Sequence, residues 1–259
     1  MDADIIVVAK SSRPAKSGED GTDISEKAGN GTDGKKVKKK YEEATDGVKG
    51  KDAGEAQNGK AGGNGENGAH CTGIVLECRT LKLASPLRIQ ANGQDGAAGG
   101  RGGNGGRGGE GGDAGEQLAE YVAEYSPASG GQGGRGGDGG DGGNGGEGGK
   151  GGNIIVKYIA SNLEPTVIIS AQGGRGGGAG LPGAGGPGGK GGKNGSSGGV
   201  TPKKKKVAYR RIKWFRYIRV SGDSYAPEGP GGTGGSSGIP GKPGTGGDLT
   251  IRKVEDFSW

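Results

Sequence analysis

The sequence predicts a bundle of polyglycine II helices, close to polyproline II in geometry. About six antiparallel arms stand on a small β-strand base, with little α-helix. Two observations carry this. Unbroken Gly-Gly-X triplets run over 99–112 and 130–152. Only 27% of the 259 residues are hydrophobic, too few for an ordinary core in a chain of this length. Ordering glycine backbone is entropically expensive, so the order must come from backbone groups finding partners.

The triplet period selects the arm conformation. A helix repeats every 3.6 residues and a strand every 2, whereas polyproline II has three residues per turn and no internal hydrogen bonds. Each Gly-Gly-X turn therefore shows one row of side chains and two bare backbone faces. A collagen-like triple helix shares the period but is rich in Pro. The 11 Pro here fall nearly all outside the pure triplet arms. A flexible linker would show irregular spacing and more Ser.

Short apolar runs separate the arms, and they read as strands at 4–9, 73–91, 153–171 and 248–254. The two long runs are related. GIVLECRTLKLASPLRIQANG and NIIVKYIASNLEPTVIISAQG share an apolar start, a central Pro (Pro86, Pro165), a second apolar run and a glycine ending. Each reads as two strands with a turn before the Pro. With this internal repeat in hand, the chain is one repeat-built domain over 1–259. Its arms are 18–34, 46–68, 93–115, 130–152, 173–199 and 228–247, and its tips are 35–45, 116–129 and 200–227. Three out-and-back excursions leave the strand base, with arms of roughly 60–75 Å at about 3.1 Å per residue. Arms 18–34 and 46–68 have less regular glycine and are expected at the periphery. Tip 116–129 carries Glu116, Glu120 and Glu124 with Leu118, Tyr121, Val122 and Tyr125, spaced for one or two amphipathic helical turns.

The arms, with charged or Asn residues at X, resemble polyglycine II helical-bundle proteins. That group includes snow flea antifreeze proteins and the glycine-rich adhesins of T-even phages. The resemblance is one of repeat and composition over about half the chain. It implies the arm architecture and carries no function with it.

Net charge is +6 from 35 basic and 29 acidic residues, a mixed surface with a mild basic bias. The basic residues concentrate. Tip 35–45 holds Lys35, Lys36, Lys38, Lys39 and Lys40. The candidate polyanion- or partner-binding stretch is TPKKKKVAYRRIKWFRYIRV at 201–220. There Lys203, Lys204, Lys205, Lys206, Arg210, Arg211, Lys213, Arg216 and Arg219 interleave with Trp214, Phe215 and Tyr217. Cations beside stacking rings are what single-stranded nucleic acid sites use. The competing reading is a tip strand whose rings cap the bundle.

Other signals are weaker. His70 and Cys71 lack enough companions for a zinc site, and Cys78 is the only other cysteine. Asp138, Asp141 and Glu147 share one X row but lack the nonapeptide spacing of calcium-binding β-helices. GxGxxG matches arise from triplet glycine without the strand, helix and downstream acid of a dinucleotide site. One His and no Cys–His–acid set give little for acid–base chemistry, so the expectation is a non-enzyme without cofactor or metal.

The first functional expectation is a structural, self-associating glycine-rich protein, a filament or surface-fibre subunit joined through strand edges. The alternatives are an adhesin-type recognition module whose tip loops bind a glycan, receptor or polyanion, and an ice-binding protein using the small side chains of 173–189 and 228–247. No segment reaches membrane-spanning length, and MDADIIVVAK lacks a signal peptide's charged leader. The protein is thus expected in the cytoplasm or exported by an unconventional route.

Overall fold

The computed structural model describes residues 5–7, 12–34, 36–37, 40–41, 56–82, 86–116, 128–161, 167–195, 197–207, 210–220 and 224–257. Its regular elements are strands: β1 (Ile5–Ile6), β2 (Lys36–Val37), β3 (Lys40–Tyr41), β4 (Ile74–Leu81), β5 (Leu87–Gln90), β6 (Ile154–Ser161), β7 (Val167–Ser170), β8 (Ser197–Val207), β9 (Arg210–Val220) and β10 (Leu249–Lys253). The two strands of each repeat unit do not pair with each other. β4 joins β6 and β10 in one parallel sheet, in the order β10-β6-β4, while β5 joins β1 and β7 in another, in the order β1-β5-β7.

The alternation of β4 explains its place. Ile74, Leu76 and Cys78 turn inward and Val75 and Glu77 outward, as period-2 side chains require. The buried cluster takes Ile89 and Ala91 from one unit and Ile154, Val156 and Ala171 from the next, with Cys71 and Leu81. Half-buried Ile5, Leu87, Val167 and Ile169 from one sheet and Ile74, Leu76 and Tyr158 from the other pack against it. The core therefore lies between the two sheets. Across β4 and β6, Glu77 stands opposite Lys157 and their side chains pair at 2.7 Å.

The glycine arms are extended segments without strand or helix assignment: arm one (12–34), arm two (56–73), arm three (91–116), arm four (128–153), arm five (171–195) and arm six (226–248). Backbone hydrogen bonds tie them every third residue. Between consecutive arms the bonds run antiparallel: Gly140 N donates to Gly103 O and Gly143 N to Gly100 O. Between arms one excursion apart they run parallel: Gly93, Gly96 and Gly99 of arm three donate to the carbonyls of Gln172, Arg175 and Gly178 of arm five. Arms one, three and five thus form one layer and arms two, four and six the other.

The remaining amide of many triplets is met by a side chain. Asn, Asp or His at X accepts from the X residue one excursion on. Asn64 accepts from Asn144 N (2.9 Å), Asn144 in turn from Ile239 N (2.8 Å), and His70 Nδ1 from Lys150 N (2.9 Å). The strands keep the same offset, since Ile74 pairs with Ile154 and Leu87 with Val167. The step is 80 residues between these units and 95 from β6 to β10 and from Asn144 to Ile239.

These findings correct the fold class read from the sequence. The polyglycine II bundle of about six antiparallel arms gives way to a strand-based fold with two parallel three-stranded sheets. No helix occurs among the described residues. The triplet period does not make a collagen-like helix. The physical reason is the length of the repeat. A full out-and-back excursion returns each strand and each arm to its counterpart travelling in the same direction, so pairing across excursions is parallel. Following single excursions captures only the antiparallel half. The helical turns expected at 116–129 fall mostly on residues 117–127, outside the described residues.

Inner and outer arms differ as close packing demands. A Cβ at Gly140 of arm four would overlap the carbonyl of Lys60, and one at Gly143 the carbonyl of Gly63. At Gly29 of arm one a Cβ would meet nothing within 4 Å. Arm one also breaks frame once. Ile24 N donates to Arg107 O and Ala28 N to Glu110 O, so four residues of arm one span three of arm three. The extra residue lies in the exposed run Ser25, Glu26 and Lys27.

Candidate functional site

All twelve sequence-predicted site residues fall in one antiparallel hairpin, β8–β9, which the sequence reading took as an undivided tip. Its register sets Lys203 opposite Trp214, Lys204 opposite Lys213, Lys205 opposite Ile212 and Lys206 opposite Arg211. Arg210 stands opposite Val207, Phe215 opposite Pro202, Arg216 opposite Thr201, Tyr217 opposite Val200 and Arg219 opposite Gly198. By the two-residue period, Lys203, Lys205, Arg210, Trp214 and Arg216 share one face. Lys204, Lys206, Arg211, Lys213, Phe215, Tyr217 and Arg219 share the other. The two cation–cation pairs, Lys204 with Lys213 and Lys206 with Arg211, both belong to this second face.

The hairpin is rooted in the arm layers. Lys193 and Tyr225 form an antiparallel bridge just outside it. Asn194 N donates to Ser224 O at 2.9 Å, and Asn194 Oδ1 accepts from Gly130 N at 2.8 Å. The hairpin thus continues arms five and six at the end away from the sheets. The smaller hairpin β2–β3, with Lys36 opposite Tyr41 and Val37 opposite Lys40, follows arm one at that same end. There Gly34 N donates to Glu116 O, and Ala114 N to Lys193 O. A groove near the root is lined by Lys27, Glu110, Asp113, Lys190, Tyr225 and Glu228. Lys27 and Asp113 pair across it at 2.6 Å. Hydrogen bonds from Lys27, and after it from the Lys193 amide, hold the Asp113 carboxyl below the usual carboxylate range.

The two outer ends of the arm layers are chemically unlike. At the first end, formed by arms one and two, Lys16, Glu19, Thr22, Gln57, Lys60 and Glu66 stand where arms three and four carry glycine. Lys60 and Glu19 close this end with an exposed ion pair at 2.7 Å. That pairing lowers the Glu19 carboxyl and raises the Lys60 ammonium. At the last end the half-exposed row of arm five is Gly173, Gly176, Ala179, Pro182, Gly185, Gly188 and Gly191, while Arg175, Lys190, Glu228 and Lys242 stand exposed on the same two arms. Among the described residues, the amides of Gly173, Gly176, Gly185, Gly188 and Gly191 have no hydrogen-bond acceptor. Their counterparts in arm three, Gly93, Gly96, Gly105, Gly108 and Gly111, each donate to arm five. The edge strands at this end, β7 and β10, leave Ile168 at 50%, Leu249 at 53% and Ile251 at 42% exposure. The 80-residue offset between the two strand units was the signal that would have found both the braces and this open row.

The architecture defines a repeat protein in which each excursion adds one parallel layer position and one strand to each sheet. No family model matches the chain and no curated protein matches it. Among the described residues no helix is long and apolar enough to cross a membrane.

Proposed function

We propose that this protein is a structural, self-associating subunit without catalytic activity, and that copies join through the last end, arms five and six with β7 and β10. One observation carries the reading. Gly173, Gly176, Gly185, Gly188 and Gly191 pack beside arm six and stand where arm three donates to a parallel neighbour, yet their own amides donate to no carbonyl among the described residues. Terminal repeats of stacked proteins ordinarily present a polar outer face. Here the terminal strands present Ile168, Leu249 and Ile251 and two open sheet edges, which are ready joints between chains. The other end is a poor match, because its charged side chains would meet backbone. The favoured joint is therefore isologous, last end against last end. Growth beyond a pair, into a filament, would have to use the β1 and β4 edges.

Mass measurement by light scattering across a wide concentration range, with negative-stain microscopy, tests this. A concentration-dependent dimer that Ile251→Lys and Leu249→Lys convert to monomer supports the reading. Compact monomers at every concentration would overturn it, and long fibres insensitive to those substitutions would move the joint elsewhere.

A further inference from the structure

We propose that the end bearing the two basic hairpins binds single-stranded nucleic acid, with β8–β9 as the principal contact and β2–β3 as a second one. The inference stands apart from self-association, which uses the sheet edges and the last end of the layers.

Charge comes first. Residues 197–220 contain nine cations, namely Lys203, Lys204, Lys205, Lys206, Arg210, Arg211, Lys213, Arg216 and Arg219, and no acid. That exceeds the net charge of +6 for the whole chain, so the remainder of the protein is close to neutral or slightly acidic. Residues 35–41 add Lys35, Lys36, Lys38, Lys39 and Lys40, again without an acid. Both stretches emerge at the same end of the arm layers. By sequence, tips 35–45 and 116–129 together hold an acidic set of five, Glu42, Glu43, Glu116, Glu120 and Glu124. It falls well short of neutralising fourteen cations.

Register supplies the second argument. Like charges directly opposite across an antiparallel pair destabilise it. β8–β9 nevertheless sets Lys204 against Lys213 and Lys206 against Arg211. A hairpin whose role was only to cap the arms would gain stability from an acid at either partner position. A polyanion lying along this face removes the repulsion and releases its own counterions on binding.

Ring placement selects the polyanion. Phe215 and Tyr217 share the face of the two cation pairs, and Trp214 lies on the other between Arg210 and Arg216. Alternating cations and aromatic residues suit a strand with unstacked bases, which rings can cover without regard to sequence. Sulfated glycans and polyphosphate offer charge but no base to stack, and a duplex keeps its bases stacked on one another.

The test uses the full chain and fluorescence anisotropy. The probes are a labelled thymidine oligonucleotide of about 20 residues, a duplex of equal length, heparin and polyphosphate. The oligonucleotide is expected to bind most tightly, with log affinity falling linearly as log salt rises, by about 0.7 per phosphate neutralised. Replacing Lys204, Lys206, Arg211 and Lys213 together by Ala should weaken binding at least about tenfold and flatten the salt slope by roughly 3. Exchanging Lys for Arg and Arg for Lys at the same positions should preserve binding, which separates lost charge from lost folding. Replacing Trp214, Phe215 and Tyr217 by Ala should weaken the oligonucleotide about tenfold or more and leave heparin unchanged. No oligonucleotide binding at low salt would overturn the proposal. So would heparin or duplex binding as tightly as the single strand, or an aromatic variant that weakens every probe equally.

Discussion

Arms four and one follow the same chain direction rules and answer opposite demands. Arm four is pressed between neighbours on several sides, so Gly140 and Gly143 sit where a Cβ would enter another chain's carbonyl. Arm one has neighbours on one side only: Thr22 is exposed there, Glu19 pairs with Lys60 of arm two, and Asp20 and Asp23 accept from the Asn104 and Arg107 amides of arm three. Glycine in this protein is therefore a record of how many neighbours a backbone has, and side chains mark where the lattice stops.

The sharpest way to break that contrast is to put bulk inside. Gly140→Val should destabilise by about 3 kcal/mol or more, because the obstacle is backbone that is itself paired and cannot retreat. Thermal unfolding of the purified variant measures it, and a change below about 1 kcal/mol would refute the packing argument. Next comes the bracing between excursions. Asn64→Ala leaves the Asn144 amide without its side-chain acceptor, and the expected loss is about 1 kcal/mol, read from the same transition.

Acid probes the same braces collectively. Asp138 is held below the ordinary carboxylate range, first by the Thr233 amide and hydroxyl and then by Arg135, and Asp113 is likewise lowered. A carboxyl depressed in the folded state stabilises the fold fully above its unfolded value near 3.9, and loses that contribution as pH falls through the folded value. The melting temperature should therefore hold from neutral pH to about pH 4 and decline below it. Asp138→Asn should soften that decline, because the amide oxygen still accepts from Thr233 and does not titrate. The smallest effect belongs to the outer arm. Gly29→Ala should lie within about 0.5 kcal/mol of the parent or stabilise slightly, since nothing stands near the new methyl group and the unfolded chain loses freedom.

Much of this was legible in the sequence, and the rest failed for identifiable reasons. The three-residue frame of 99–112 and 130–152 and the kinship of 73–91 with 153–171 were readable directly. Parallel pairing was hidden because it links residues such as Ile74 and Ile154, and local patterns carry no sign of direction over such a distance. The braces were hidden as ordinary polar residues. Asn64 and Asn144 look alike to a composition count and become partners only when the repeat is applied across the arms. His70 was weighed as a metal ligand, and its Nδ1 proves to accept from Lys150 N. The β8–β9 hairpin was missed because Ala208 and Tyr209, between its strands, carry none of the Gly, Asn or Asp signals of a tight turn.

The four-residue step between Ile24 and Ala28 bears on how such a chain can change length. An added residue there only enlarges an exposed run, and the pattern resumes three residues later as if nothing had intervened. The same addition within 130–152 would carry every following X side chain onto a buried row. Length variants of this protein should therefore differ by multiples of three in the inner arms. Single-residue insertions and deletions should collect in arm one and around the tips.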